Sequence, residues 1–176
     1  MARVFIGMGS NLGDREARLA EALEALGRID GCRLAQASRL YETEPVGGPP
    51  QGPYLNAVAE LDSTLPPLVL LGELLAIESA AGRSRDGARD SPRELDLDLL
   101  LYDDQVLETD LLTLPHPRLH LRAFVLEPLA ELAGDLLHPK SGVTLAELAR
   151  GVRDPNGVRP WLSTTQWPRT QQGVRS

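Results

Sequence analysis

Asp96 and Asp98 stand two residues apart in the stretch Glu94 to Tyr102, where Leu95, Leu97, Leu99 and Leu101 alternate with Asp96, Asp98 and Leu100. A period of two is the signature of a strand, and on a strand residues i and i+2 share a face with Cα atoms about 7 Å apart. Two like charges on one face repel, and a hard cation between them relieves the repulsion. Oxygen ligands in this number suit Mg²⁺, which keeps several waters and binds through one or two carboxylates plus substrate phosphates. Two such ions roughly 4 Å apart recur in phosphoryl transfer. The plainer reading of the same pattern is the solvated face of an edge strand.

Immediately upstream, Arg83, Arg85, Arg89 and Arg93 fall within eleven residues, with Gly82, Gly87, Ser91 and Pro92 around them. Guanidinium groups make planar, bidentate contacts to phosphate oxygens, so a loop of this kind beside the Asp pair can close over a polyphosphate. Standing alone it would read as a basic loop offset by Asp86 and Asp90. Only Lys140 of the 18 basic residues is lysine, so the abundance of arginine carries no weight and position does.

Two other motifs are weaker. Gly7, Gly9 and Gly13 form G-x-G-x-x-x-G, which matches neither the dinucleotide fingerprint nor a P-loop, and they read as a tight turn packed against a sheet. His116 and His120 lack the H-E-x-x-H pattern of a zinc helix, with Pro117 in place of the Glu and prolines on both sides of His116 opposing a regular helix, so His116 reads as a phosphate or nucleotide contact.

The elements that must position these residues follow from periodicity. Val4 to Met8 is a short apolar run expected as a central strand. Asp14 is placed to cap a helix carrying Leu19, Ala22, Leu23, Leu26 and Ile29, with Gly31 beyond its end. Arg33 to Glu42 reads as a second strand and Tyr54 to Asp62 as a third, joined by the Pro- and Gly-rich loop Thr43 to Pro53. Pro66 and Pro67 open a helix with a stripe of Leu71, Leu74, Leu75, Glu78 and Ala81, ending at Gly82. The Asp96 strand is fourth. A short strand over Gln105 to Glu108, a helix over Arg122 to Ala133, and a helix opened by the Thr144 to Glu147 capping box complete the pattern. Beyond Arg150 no period is visible. The order βαββαβ matches an α+β, ferredoxin-like core: a mainly antiparallel sheet in an α/β sandwich, helices on one face and the other free for a site, with an extra C-terminal strand and helices. A single domain over 1–160 is expected, followed by an irregular tail over 161–176.

A chain of 176 residues with 42% hydrophobic and 24% charged residues has the composition of one soluble globular domain. The formal charge of -7 argues against sequence-independent binding of nucleic acid or anionic membrane. Cys32, the single cysteine, excludes an intrachain disulfide and reads as a small buried hydrophobe. Met1 to Gly7 lacks a secretory signal, and Leu65 to Ile77 is broken by Pro66, Pro67 and Glu73, so a cytoplasmic protein is expected.

Taken in order, Gly9-Ser10-Asn11-Leu12, Tyr54-Leu55-Asn56-Ala57, Pro92-Arg93-Glu94-Leu95-Asp96-Leu97-Asp98 and Pro115-His116 through Arg122-Ala123-Phe124 strongly resemble the 6-hydroxymethyl-7,8-dihydropterin pyrophosphokinase family over roughly residues 2 to 150. The resemblance implies transfer of diphosphate from ATP to the hydroxymethyl oxygen of the pterin in folate biosynthesis, with AMP released and two Mg²⁺ ions held by Asp96 and Asp98. It implies that Arg83 and Arg93 bind phosphate and act with the Asp pair in catalysis, that Arg85 and Arg89 lie in a closing loop, and that Glu78, His116 and Arg122 complete the ATP site. Tyr54 and Phe124 would sandwich the pterin while Asn56 reads its edge, aided by backbone at Thr43, Pro45 and Val46. ATP and the pterin are then the partners, and a monomer is the expected assembly. Asp90 stands where members often place Trp, and Leu111 where some place Arg. A two-metal nuclease, a nucleotide-binding oxidoreductase and a non-catalytic ligand-binding module are the alternatives; they would show, respectively, a broad basic surface, a proper dinucleotide fingerprint, and no reason for two aspartates to share a face.

Overall fold

The computed structural model of the chain describes residues 1–45, 52–82, 95–152, 157–163 and 167. The first apolar run forms β1 (Ala2–Ser10), followed by α1 (Arg15–Gly27), whose N-terminus is capped by the Asp14 carboxylate accepting the Ala17 N–H. Then come β2 (Cys32–Ala37), β3 (Tyr41–Thr43), β4 (Tyr54–Ser63), α2 (Pro67–Ala80) and β5 (Asp96–Tyr102). Two short strands, β6 (Leu107–Glu108) and β7 (Thr113–Leu114), pair with each other. A 3-10 turn at Leu119–Leu121, α3 (Ala123–Ala133), α4 (Leu145–Gly151) and β8 (Val158–Pro160) complete the order.

The main sheet runs β5-β1-β4-β3-β8, with β2 also paired to β4. β1 is central, antiparallel to both β4 and β5. This is the ferredoxin-like arrangement with its second strand cut in two. The expected strand Arg33 to Glu42 breaks at Ser38, because the Ser38 hydroxyl accepts the Val58 N–H at 2.9 Å and takes the place of a backbone rung. β2 then lies against Ala59 to Ser63 and β3 against Tyr54 to Asn56.

One face of the sheet carries Val4, Ile6, Met8, Leu55, Ala57, Ala59, Leu61, Leu97 and Leu99, buried beneath Leu19, Leu23 and Leu26 of α1 and Leu70 and Leu74 of α2. The stripe of α2 is rotated from the expected one: Leu70 is fully buried and Leu75 is 45% exposed. Gly31, which turns the chain from α1 into β2, has φ of +90°, and a Cβ there would lie 2.9 Å from the Leu65 and Thr64 side chains, so only glycine fits.

The opposite face is not free. Phe5, Val58, Leu100 and Leu101 pack under Val125, Leu126 and Leu129 of α3 and Leu145 of α4. Strict alternation in β5 fails there, because Phe5 pairs with Leu101 while Ile6 pairs with Leu99, and the extra residue Leu100 puts two successive leucines on the α3 side. Beyond Arg150, where the sequence shows no period, β8 pairs with β3, the Trp161 N–H reaches the Leu40 carbonyl, and the Trp167 indole donates to the Ser38 carbonyl at 2.9 Å. Among the described residues no helix is long and apolar enough to cross a membrane.

Candidate active site

Beside the apolar patch under α3 and α4, strand register sets a polar region on the same face of the sheet. Asp96 pairs with Gly9 and Asp98 with Gly7 across β5 and β1, while Gly9 pairs with Asn56 and Gly7 with Val58 across β1 and β4. On β3, Tyr41 opposes Asn56 and Thr43 opposes Tyr54. Directly opposed residues of an antiparallel pair point to the same face. Asp96, Gly9, Asn56 and Tyr41 therefore form one row across four strands, with Asp98 beside it on β5 and Tyr54 and Thr43 beside it on β4 and β3.

Gly7 and Gly9 are strand residues, not the tight turn expected of them; of that motif only Gly13, at φ of +64°, turns the chain. Their role is the absence of a side chain. A Cβ on Gly9 would sit 3.0 Å from Asn56 Oδ1 and 3.7 Å from the Tyr54 ring, so the amide and the ring edge occupy the space above that glycine. Asn56 Nδ2 donates to Thr43 Oγ1 at 3.0 Å, with both residues buried, which fixes the amide orientation. Pro45 follows, half-buried, on the same segment.

Glu78 lies behind β5, 2% exposed, and its Oε2 accepts the Leu97 N–H at 3.0 Å. Among the described residues β5 is an edge strand, so this outward N–H meets no further strand there, and the carboxylate holds the backbone between the two aspartates. His116 enters from the segment after β7: its N–H donates to the Leu100 carbonyl, and its Nδ1 accepts the Arg118 N–H at 3.2 Å. With Nδ1 an acceptor, the ring proton sits on Nε2. Burial, then the nearby Arg122 and Arg118 charges, push the His116 pKa down to about 4 against an opposing pull from Asp96, so the ring is a neutral donor at pH 7. Arg122 precedes α3 with its guanidinium 5.5 Å from the Phe124 ring centroid.

Asp96, Asp98, Asn56, Thr43 and Tyr54 are thus brought to one face, and Asp96, His116 and Arg122 to one electrostatic neighbourhood. Arg83, Arg85, Arg89, Arg93 and Val46, together with Asp90, lie outside the described residues. Leu111 is 76% exposed. Two groups of contacts were not anticipated from sequence. Arg15 donates to the Pro53 carbonyl at 2.9 Å and pairs with Glu42, and Asn11 Nδ2 reaches the Gly52 carbonyl at 3.5 Å, so the segment entering β4 is tied to α1 and β3. Glu131 of α3 accepts from Tyr41 and Arg39 of the β3 region.

As a metal site the arrangement is open. Among the described residues no three His, Cys, Asp or Glu side chains come together to hold an ion. Two carboxylates on one strand face, opposite the glycines Gly9 and Gly7, fit a cation that takes its remaining oxygens from water and phosphate, the habit of Mg²⁺ and not of a caged structural metal.

Comparison with known proteins follows the same lines. Residues 5–134 match the family model described as 7,8-dihydro-6-hydroxymethylpterin-pyrophosphokinase. A 2-amino-4-hydroxy-6-hydroxymethyldihydropteridine pyrophosphokinase of Pseudomonas aeruginosa is 46% identical over 146 residues, covering 83% of this chain and 89% of that protein. The protein of the same name from Haemophilus influenzae is 40% identical over 159 residues, covering 90% and 98%. Among solved structures, a chain described as HPPK-DHPS in complex with substrates superposes with a TM-score of 0.67 at 11% identity, covering 85% of this chain and 45% of that one, which speaks to the fold. This chain spans less than half the length of that solved chain. With the family model matching most of the sequence and both relatives covered nearly end to end, the chain belongs to the 7,8-dihydro-6-hydroxymethylpterin-pyrophosphokinase family.

Proposed function

We propose that the face of β1, β4 and β5 bearing Asp96, Asp98, Asn56 and Tyr54 is the catalytic surface of this pyrophosphokinase. The enzyme transfers diphosphate from ATP to the hydroxymethyl group of 6-hydroxymethyl-7,8-dihydropterin in folate biosynthesis, releasing AMP. The observation that carries the residue assignment is the row Asp96, Gly9, Asn56. Carboxylate and amide sit on strands two apart, about 10 Å between Cα atoms, across a residue without a side chain. A substrate whose flat ring is read at one end and whose exocyclic hydroxyl meets a polyphosphate at the other needs such a span.

In this reading Tyr54 and Phe124 stack on the pterin, Asn56 reads its edge, and Thr43 holds the Asn56 amide, with Pro45 and Val46 lining the same end. Asp96 and Asp98 would hold Mg²⁺, two ions in our reading, which when bound neutralises phosphate oxygens and lowers the barrier to attack. His116, neutral with its proton on Nε2, donates to a phosphate oxygen, and Arg122 supplies positive charge beside it. Arg83, Arg85, Arg89 and Arg93 bind the triphosphate, and Glu78 keeps the β5 backbone at the level where both aspartates face the substrate. The hydroxyl oxygen attacks the β-phosphorus, the bond from that phosphorus to the α-phosphate oxygen breaks, and AMP departs as the hydroxyl proton is lost. Residues 1–160 form the catalytic unit, with 161–176 as its tail. We take the enzyme to act as a monomer, and we place it in the cytoplasm.

Product analysis and two substitutions test this. ATP, Mg²⁺ and the pterin should give AMP and pterin diphosphate in equal amounts; ADP with a pterin monophosphate contradicts attack at the β-phosphorus. Asp96→Asn and Asp98→Asn should each keep the wild-type circular dichroism while turnover falls roughly 10³-fold. Near-normal turnover in either soluble variant would remove that aspartate from the cation site.

A further inference from the structure

Helix α3 carries Phe124 in its first turn and rests on the sheet largely through Val125, Leu126 and Leu129 against Phe5, Val58, Leu100 and Leu101. Such packing orients the apolar stripe of the helix toward the sheet, and a hydrogen bond to a fixed partner adds a directional tie to it. The helix's own ladder closes the first turn through the Leu126 N–H to the Arg122 carbonyl at 3.0 Å but lacks one rung at Phe124. Pro128 lies inside α3 and has no N–H to give the carbonyl four residues back, which is that of Phe124. With that rung missing, a directional contact from outside the helix has leverage on where Phe124 stands.

Glu131 supplies a directional attachment. It follows Phe124 by seven residues, two helical turns, so the two side chains share a face about 10 Å apart along the axis. Its carboxylate accepts three hydrogen bonds from the β3 region: Tyr41 Oη at 2.6 Å and Arg39 Nε at 3.0 Å on one oxygen, and the Arg39 backbone N–H at 2.8 Å on the other. Tyr41 is 5% exposed and directly opposes Asn56 across β3 and β4. The Tyr41 hydroxyl is held protonated, its pKa pushed up to about 12 by burial and by Glu131, so it remains a donor throughout the working range. Two residues along β3, on the same face, Thr43 receives the Asn56 amide.

We propose that Glu131 and Tyr41 are positioning residues for the pterin: their hydrogen bond, reinforced by Arg39, sets the placement of the Phe124 wall on α3 relative to the Asn56 and Tyr54 floor on β4. This rests on the assignment of Phe124, Tyr54 and Asn56 to the pterin site made above. Neither positioning residue touches the substrate; each acts through the elements it joins. A slot for a flat ring is sensitive to such spacing, because stacking and edge hydrogen bonds must be satisfied together and misplacement well under a ring thickness loses one of them.

The test separates substrate positioning from general stability. Tyr41→Phe removes one hydroxyl from a folded β3 and should raise the KM for 6-hydroxymethyl-7,8-dihydropterin about tenfold while the KM for ATP stays within about twofold. Glu131→Ala, which removes all three bonds, should raise it at least as much, and the double variant should be no worse than Glu131→Ala alone, since the Tyr41 bond is already lost there. Glu131→Gln, whose side-chain oxygen still accepts from Tyr41, should restore most of the pterin KM. A pterin KM unchanged in folded Tyr41→Phe overturns the proposal, as does a parallel shift of both KM values. Asn56→Ala and Phe124→Ala are run alongside. If they raise the pterin KM and Tyr41→Phe does not, the strut alone is wrong. If they leave it unchanged, the site assignment fails and the strut falls with it.

Discussion

Along β1, Val4, Ile6 and Met8 point to one side of the sheet and Phe5, Gly7 and Gly9 to the other, and the two sides use that alternation differently. Beneath α1 and α2 the surface is apolar along the body of the strands, with the buried Ser10 and Ser63 at its two ends. Beneath α3 and α4 it is apolar only at its centre. Toward one end Phe5 gives way to Arg3, paired with the buried carboxylate of Glu60 at 2.7 Å. Toward the other, Val58 and Leu100 give way to Asn56, Asp98 and Asp96 around two glycines. The first face stabilises, with each large buried side chain worth about 1.5 to 3 kcal/mol. The second gives up that burial over half its length to keep polar groups and open space within reach of a substrate. Substitutions on the two faces should therefore separate stability from turnover.

The largest effect lies on the apolar face. Leu61, fully buried in β4 between Val4 and Leu34, should cost about 2 to 5 kcal/mol of unfolding free energy when changed to Ala. At temperatures where the variant remains folded, kcat and both KM values should match wild type. Urea unfolding beside steady-state kinetics reads both quantities, and a KM change at full foldedness would mean that the two faces are coupled through β4.

Gly9→Ala on the mixed face should show the reverse. The new methyl would meet Asn56 Oδ1 at 3.0 Å and must displace the amide or the Tyr54 ring. The strand conformation of Gly9 is open to alanine, so stability should move by less than about 1 kcal/mol while the pterin KM rises about tenfold. Gly7→Ala, whose Cβ would reach only the Leu100 side chain at 3.4 Å, is the matched control with a smaller shift. Equal KM effects from the two would show that Gly9 is not singled out by its contact with Asn56.

The same contrast explains what the sequence made legible. The apolar face follows from periodicity, because α1, β1 and β4 each carry their own alternation and a good cap at Asp14. Asp96 and Asp98 were legible for the same local reason, two residues apart on one strand. What escaped depended on partners distant in sequence. The bulge at Leu100 comes from pairing with Phe5 and Ile6, and the break at Ser38 from a hydroxyl answering Val58. β8 has three residues and pairs only with β3, so no pattern announces it. Gly7 and Gly9 resembled a loop motif because their spacing says nothing of the side chains around them. Glu131 and Arg39 are 92 residues apart, and only the placement of α3 on the sheet brings them together.

The smallest expected effect concerns pH, and it too belongs to the mixed face. His116 has an unfolded-state pKa near 6.5 and a folded-state value of about 4, lowered first by burial and then by Arg122 and Arg118. Its folded pKa is depressed, so between these values the unfolded chain binds more protons than the folded one, and stability rises with pH. The contribution is fully present above pH 6.5, declines as pH falls below that value, and is gone below about pH 4. Solvent screening at this partly exposed ring keeps the effect below those of the substitutions above. His116→Asn is the informative variant, because an Asn Oδ1 can accept the Arg118 N–H as Nδ1 does while carrying no titrating group. His138, whose pKa is also lowered by burial, contributes in the same direction to both proteins and cancels in the difference. The stability gap between wild type and His116→Asn, from urea midpoints at steps from pH 7.5 to 4, should be flat above 6.5 and shift against wild type below it. A gap constant across the whole range would mean that the ring titrates alike in the folded and unfolded chains, and with that the neutral His116 donor at the ATP site would lose its physical basis.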